Sequence, residues 1–171
     1  MSILIILLRY HCQFREKIAR QASKCTGTKI PFGFSVHGIV LNTDQGVTSL
    51  TKKEYGNSLD ANTVHTILEN FLGNRNANSL SLANSFLKRV CEMEKFFETQ
   101  TAFHNFGSSF LFVYDYDDAN SAKVHLIDFA HSFPGNGKID SQHLFALKNI
   151  RELFQEFIAD KNNNEQFFQA E

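Results

Sequence analysis

Proline is scarce: Pro31 and Pro134 are the only two, and no stretch rich in proline, glycine or serine interrupts the 171 residues. Nothing therefore marks a linker, no internal repeat is visible, and a single domain is the expectation at this length. Cysteine is scarce too. Cys12, Cys25 and Cys91 form neither a close-spaced metal pair nor an even disulfide set, which suits a reducing compartment where they pack as small hydrophobes. Cytoplasmic and/or nuclear localisation is the expectation.

An excess of positive charge is also missing. Seventeen Lys+Arg stand against 18 Asp+Glu, a formal net charge of -1, which excludes a chain built to wrap nucleic acid and leaves room for a compact phosphorylated ligand. Long hydrophobic runs are absent as well. The apolar run Ile3 to Leu8 falls far short of the roughly 20 residues a membrane helix needs and lacks the basic lead of a secretory signal. No membrane span is expected, and that run reads as a buried strand.

What is present is a core. Hydrophobic residues make up 43% of the chain and 18 of them are phenylalanine, enough for a domain of this size to bury about 70% of its unfolded surface without disulfides or metals. The phenylalanines lack interleaved Lys/Arg, so base stacking is excluded and they are assigned to the core.

Periodicity places the elements. Phe32, Phe34 and Val36 alternate with polar or small residues before Ile39-Val40-Leu41, predicting a strand; Asn42 to Gly46 is turn chemistry, with a second short strand after it. Val64, Ile67, Leu68, Phe71 and Leu72 predict a helix capped by Asp60 or Asn62 and ended by Gly73. Leu82, Phe86, Leu87, Val90, Met93 and Phe97 predict a longer helix between the polar stretch Asn74–Ser79 and Thr99. Phe110–Tyr114 and Val124–Phe129 flank Asp117–Ser121 as a largely buried antiparallel hairpin. Leu144, Leu147, Ile150, Leu153, Phe154, Phe157 and Ile158 predict a last helix, with a fraying tail at Lys161–Asn164. The fold class is α+β, with helices on one side of a small sheet.

Asp128 is the informative residue, a carboxylate inside an otherwise apolar strand, on the alternate face shared by Val124 and Leu126. Buried there, it must find a cation, a set of donors or a proton. It can hold Mg²⁺ on a phosphate, or it can cap the turn that follows. Ser108 and Ser109 lie near the same end of the hairpin if its register is simple, and can donate to phosphate or to Asp128, or simply punctuate the turn into the strand. His131 and His143 do not match a zinc set and read as surface or hydrogen-bonded histidines. Lys17, Arg20, Lys24 and Lys29 form either a basic rim or an exposed helix face.

Taken together, Ser108 to Asp115, then Ile127-Asp128-Phe129-Ala130-His131-Ser132, then Asp140 through Leu144 to Ile150, resemble the inositol polyphosphate kinase family in order and gaps. Lys17 to Gln21, Phe32 to Gly38 and Tyr55-Gly56-Asn57-Ser58-Leu59 extend the resemblance over about residues 15 to 157. Phe133 to Asn136, followed by Ile139-Asp140, is most similar to the multikinase branch, with the inositol hexakisphosphate kinases as the runner-up. The resemblance implies the large-lobe portion of a protein-kinase-related fold and ATP-dependent phosphorylation of an inositol polyphosphate. ATP and Mg²⁺ are the implied cofactors, with Asp128 as metal-binding and catalytic residue and Ser108 and Ser109 shaping the nucleotide pocket.

The departures are specific. Residues 1–16 contain no aspartate, hence no P-x-x-x-D-x-K-x-G motif, and the amino-terminal nucleotide lobe with its phosphate-gripping lysine is expected to be absent. Gln142-His143 stands for Gly-Tyr, Ala146 for Gly and Asn57 for Arg. The whole chain reads as a single partial kinase domain. The alternative is a catalytically inactive, truncated member serving as a binding or scaffold protein.

Overall fold

The computed structural model describes residues 1–8, 32–43, 46–51, 61–73, 78–115 and 118–169. In chain order these form β1 (Ser2–Leu8), β2 (Phe34–Thr43), β3 (Gly46–Thr51), α1 (Ala61–Leu72), α2 (Ser79–Thr99), β4 (Phe103–Asn105), β5 (Ser109–Asp115), β6 (Asp118–Ile127), β7 (Ser132–Pro134) and α3 (Ser141–Gln169). Asp60, the segment Lys17–Lys29, Tyr55–Leu59, Cys12 and Cys25 lie outside the described residues. Among those described, no helix is long and apolar enough to cross a membrane.

The five longer strands make one antiparallel sheet in the order β3-β2-β1-β5-β6. The run that starts the chain is its central strand. Leu4 pairs with Ile39 on one side and Phe112 on the other, and Ile6 with Val36 and Phe110. All six are buried on the face that carries the helices. The register shifts between Ile5 and Ile6. That irregularity lets Val36 and Ile39, three residues apart, share a face that strict alternation would deny them.

The helices follow their apolar stripes. Val64, Ile67, Leu68, Phe71 and Leu72 are buried on α1, and Gly73 follows at φ 73°, the left-handed conformation that ends helices because it lacks a Cβ penalty. Phe86 of α2 centres the core, with Phe71, Phe112, Phe154 and Tyr114 at ring-centroid distances of 5.6, 5.6, 5.8 and 6.1 Å. The Tyr114 hydroxyl, otherwise stranded in this apolar cluster, donates to the Phe71 carbonyl at 2.6 Å. Buried Glu94 on α2 meets Arg151 of α3 at 3.4 Å, so its charge is not left unpaired.

Three expectations need correction. The hairpin's second strand starts at Asp118 rather than Val124: Asp118 pairs with Asp115 and Lys123 with Val113, with a register shift between them. It lies at the sheet edge, so of its ten residues Ala122 alone is buried. The helix α3 does not fray at Lys161–Asn164 but continues to Gln169.

Candidate active site

The β5-β6 pair sets the geometry. Ser109 pairs with Ile127, so Ser108 and Ser109 do stand across the hairpin from the point where the chain leaves β6. Asp128 is the first residue beyond that strand. It is exposed, with φ 67°, a left-handed conformation that Asp tolerates better than most residues with a Cβ. The strand ends at Ile127, so the carboxylate is solvated and not buried in apolar surroundings as its place in the sequence suggests. Among the described residues no partner binds that carboxylate by hydrogen bond or ion pair.

Ser108 faces elsewhere. It is fully buried, with its hydroxyl 3.2 Å from the Asn105 carbonyl and 2.8 Å from His143 Nε2. The tight turn at Phe106-Gly107, with Gly107 at φ 72°, folds Ser108 back over Asn105 and so aims the hydroxyl inward. Ser109 is buried as well.

His143 completes the arrangement. Its Nδ1 lies 2.9 Å from Asp140 Oδ2, and both side chains are at most 1% exposed. Asp140 is the N-cap of α3: its carbonyl accepts the Leu144 N–H at 3.2 Å and its Oδ1 accepts the His143 N–H at 3.2 Å. The other oxygen, Oδ2, also accepts the Asn105 N–H at 3.3 Å. The imidazole stacks on Phe97, with centroids 4.6 Å apart and planes at 11°.

A second brace reaches the loop after Asp128. Ser132 Oγ is 2.7 Å from Asn105 Oδ1 and 3.0 Å from the Phe129 carbonyl. The Phe106 N–H donates to the His131 carbonyl at 2.9 Å, and Asn105 pairs with Ser132 across β4 and β7. His131 itself is exposed. Sequence reasoning passed over Asn105 and treated Asp140 only as part of a motif. The Asp140-x-x-His143 spacing at a helix start was the available signal, since N-cap and N3 positions face each other.

Among the described residues there is no cluster of three metal-ligating side chains. A cation at Asp128 would take a single carboxylate from these residues and fill its shell with phosphate oxygens and water. That suits Mg²⁺, which gives up water reluctantly, and not a structural zinc ion.

The inositol polyphosphate kinase family model matches residues 9–155. Inositol polyphosphate multikinase alpha of Arabidopsis thaliana is 31% identical over 170 residues, covering 82% of this chain and 58% of the relative. Inositol polyphosphate multikinase IPK2 of Oryza sativa subsp. indica is 26% identical over 152 residues, covering 78% and 52%. The chain thus spans about half the length of the curated relatives it matches. A solved inositol phosphate multikinase structure superposes with TM-score 0.79 at 24% identity, covering 91% of this chain and 79% of the other. The S. cerevisiae inositol phosphate multikinase Ipk2, solved with ADP and Mn²⁺, gives TM-score 0.77 at 20% identity, covering 92% and 78%. The fold is therefore that of these kinases, and with the family model matched over most of its length, this chain belongs to the inositol polyphosphate kinase family.

Proposed function

We propose that this chain carries out, or supplies the metal-binding part of, ATP-dependent phosphorylation of an inositol polyphosphate. The observation that carries the reading is Asp128: exposed, without a protein partner among the described residues, and held at φ 67° at the end of a strand in this family's fold. A left-handed residue with a Cβ costs about 1–2 kcal/mol in general, less for Asp, and such local strain concentrates where a side chain must be aimed.

In this reading Asp128 would hold a divalent cation, and Mg²⁺ bound there would supply the positive charge that a transferring phosphoryl group needs. Ser109 and Ser108 are buried and act behind the site instead of touching the nucleotide: Ser109 pairs with Ile127, where the chain leaves β6, and the Ser108 hydroxyl is committed to Asn105 and His143. The relative solved with ADP and Mn²⁺ supports the nucleotide and the divalent ion.

The test is transfer of label from γ-labelled ATP to a mixture of inositol phosphates. Transfer that requires Mg²⁺ and falls at least about 100-fold in Asp128→Asn, the scale of losing one preorganised charge-stabilising group, supports the reading. Transfer unaffected by chelation or by the substitution contradicts it.

A further inference from the structure

Among the described residues no hydrogen bond or ion pair fixes where the Asp128 carboxylate points, so the loop itself must be held. We infer that Asn105 and Ser132 are positioning residues for Asp128, coupling its loop to the buried Asp140-His143 pair. This rests on the reading of Asp128 as the cation ligand.

The coupling runs unbroken from α3 to the Asp128 loop. The imidazole is fixed by Asp140 and stacked on Phe97, and it meets Ser108, whose hydroxyl also reaches the Asn105 carbonyl. The Asn105 backbone N–H is tied to Asp140, and its side-chain amide reaches Ser132 Oγ at 2.7 Å. Ser132 Oγ lies in turn 3.0 Å from the carbonyl of Phe129, the residue after Asp128. A hydroxyl has one proton for these two contacts. With the Asn105 amide turned so that its NH₂ donates to Ser132 Oγ, the hydroxyl proton is free for the Phe129 carbonyl, and both bonds are made; amide O and N have the same shape, so the turn costs no space.

Ser132 is exposed and contributes little to the core, whereas its hydroxyl is the last link before the Asp128 peptide. Outer groups that orient a metal ligand typically affect metal affinity about 10–100-fold. A link of this kind should therefore act on cation binding rather than on folding.

The experiment compares the full chain with Ser132→Ala, Ser132→Thr and Asp128→Asn. It measures Mn²⁺ affinity in the presence of ATP from the spin-resonance signal of free Mn²⁺, amide exchange over residues 128–131 without metal, and the melting temperature. Ser132→Ala should weaken Mn²⁺ binding about 10-fold and speed exchange at 128–131, with melting nearly unchanged, and Ser132→Thr should restore both. If Ser132→Ala binds Mn²⁺ like wild type while Asp128→Asn does not, the positioning role is overturned and the site assignment stands. Loss of Mn²⁺ binding and stability together, without rescue by Thr, overturns it as well. If Asp128→Asn binds as tightly as wild type, the site assignment falls and takes this inference with it.

Discussion

Ser108 and His143, 35 positions apart in the chain, meet Oγ to Nε2 at 2.8 Å with both residues fully buried. With Asp140 on the far side of the ring, the order of contacts matches that of a hydrolytic Ser-His-Asp triad. No substrate reaches a site with at most 1% exposure on each member. The arrangement instead joins the β4-β5 turn to the start of α3. His143 serves a carboxylate with one nitrogen and a serine with the other.

Replacing His143 with alanine should cost about 3–5 kcal/mol. A cavity opens beside Phe97, Asp140 loses a donor in a buried setting, and Ser108 loses a partner. Urea unfolding measures this as a lower midpoint. A loss under about 1 kcal/mol would show that the network carries little of the fold's stability.

Phe86 is fully buried among four rings. Phe86→Ala should lose about 3–5 kcal/mol, and Phe86→Leu, which keeps most of the volume, roughly 1.5 kcal/mol or less. Equal losses in the two variants would contradict the packing account.

The conformation of Asp128 makes a different kind of prediction. Asn visits the left-handed region readily and Ala does not. Asp128→Asn should melt with wild type and Asp128→Ala should be about 1 kcal/mol less stable, although the side chain is exposed. Identical melting of both variants would argue against strain there.

Gly135 donates its N–H to the Ala102 carbonyl at 2.8 Å, and a Cβ built on it would press on the Thr101 carbonyl. Gly135→Ala should therefore push the β7 segment away from β4, costing about 1–3 kcal/mol. Faster amide exchange at Asn105 and Phe106 is the expected signature, and wild-type protection there would contradict it.

What the sequence reveals here depends on how local the cause is. The stripes on α1 and α2 are local, so Phe71, Phe86 and Val90 were legible as core. The unbroken run Ile3–Leu8 was legible as a strand because β1 is central and flanked on both edges. β4 and β7, three residues each, have no readable period. The early start of β6 goes with a register shift between Asp118 and Lys123, which residues that read as turn do not announce. Asp128 was legible as special from its apolar neighbours, though its exposure was not, since one residue decides whether it lies in the strand or beyond it. The role of Asn105 rests on contacts with residues 27 and 35 positions away, which no local pattern encodes.

The most direct test of the central claim is the shift in melting temperature produced by Mg·ATP in wild type and in Asp128→Asn, since a ligand that binds the folded state must raise its stability. The account predicts a rise for wild type that disappears on chelation and is lost in Asp128→Asn, with equal melting of the two proteins before ligand is added. An equal rise in both proteins, or none in wild type, would contradict the assignment of Asp128 as the residue that holds the metal on the nucleotide.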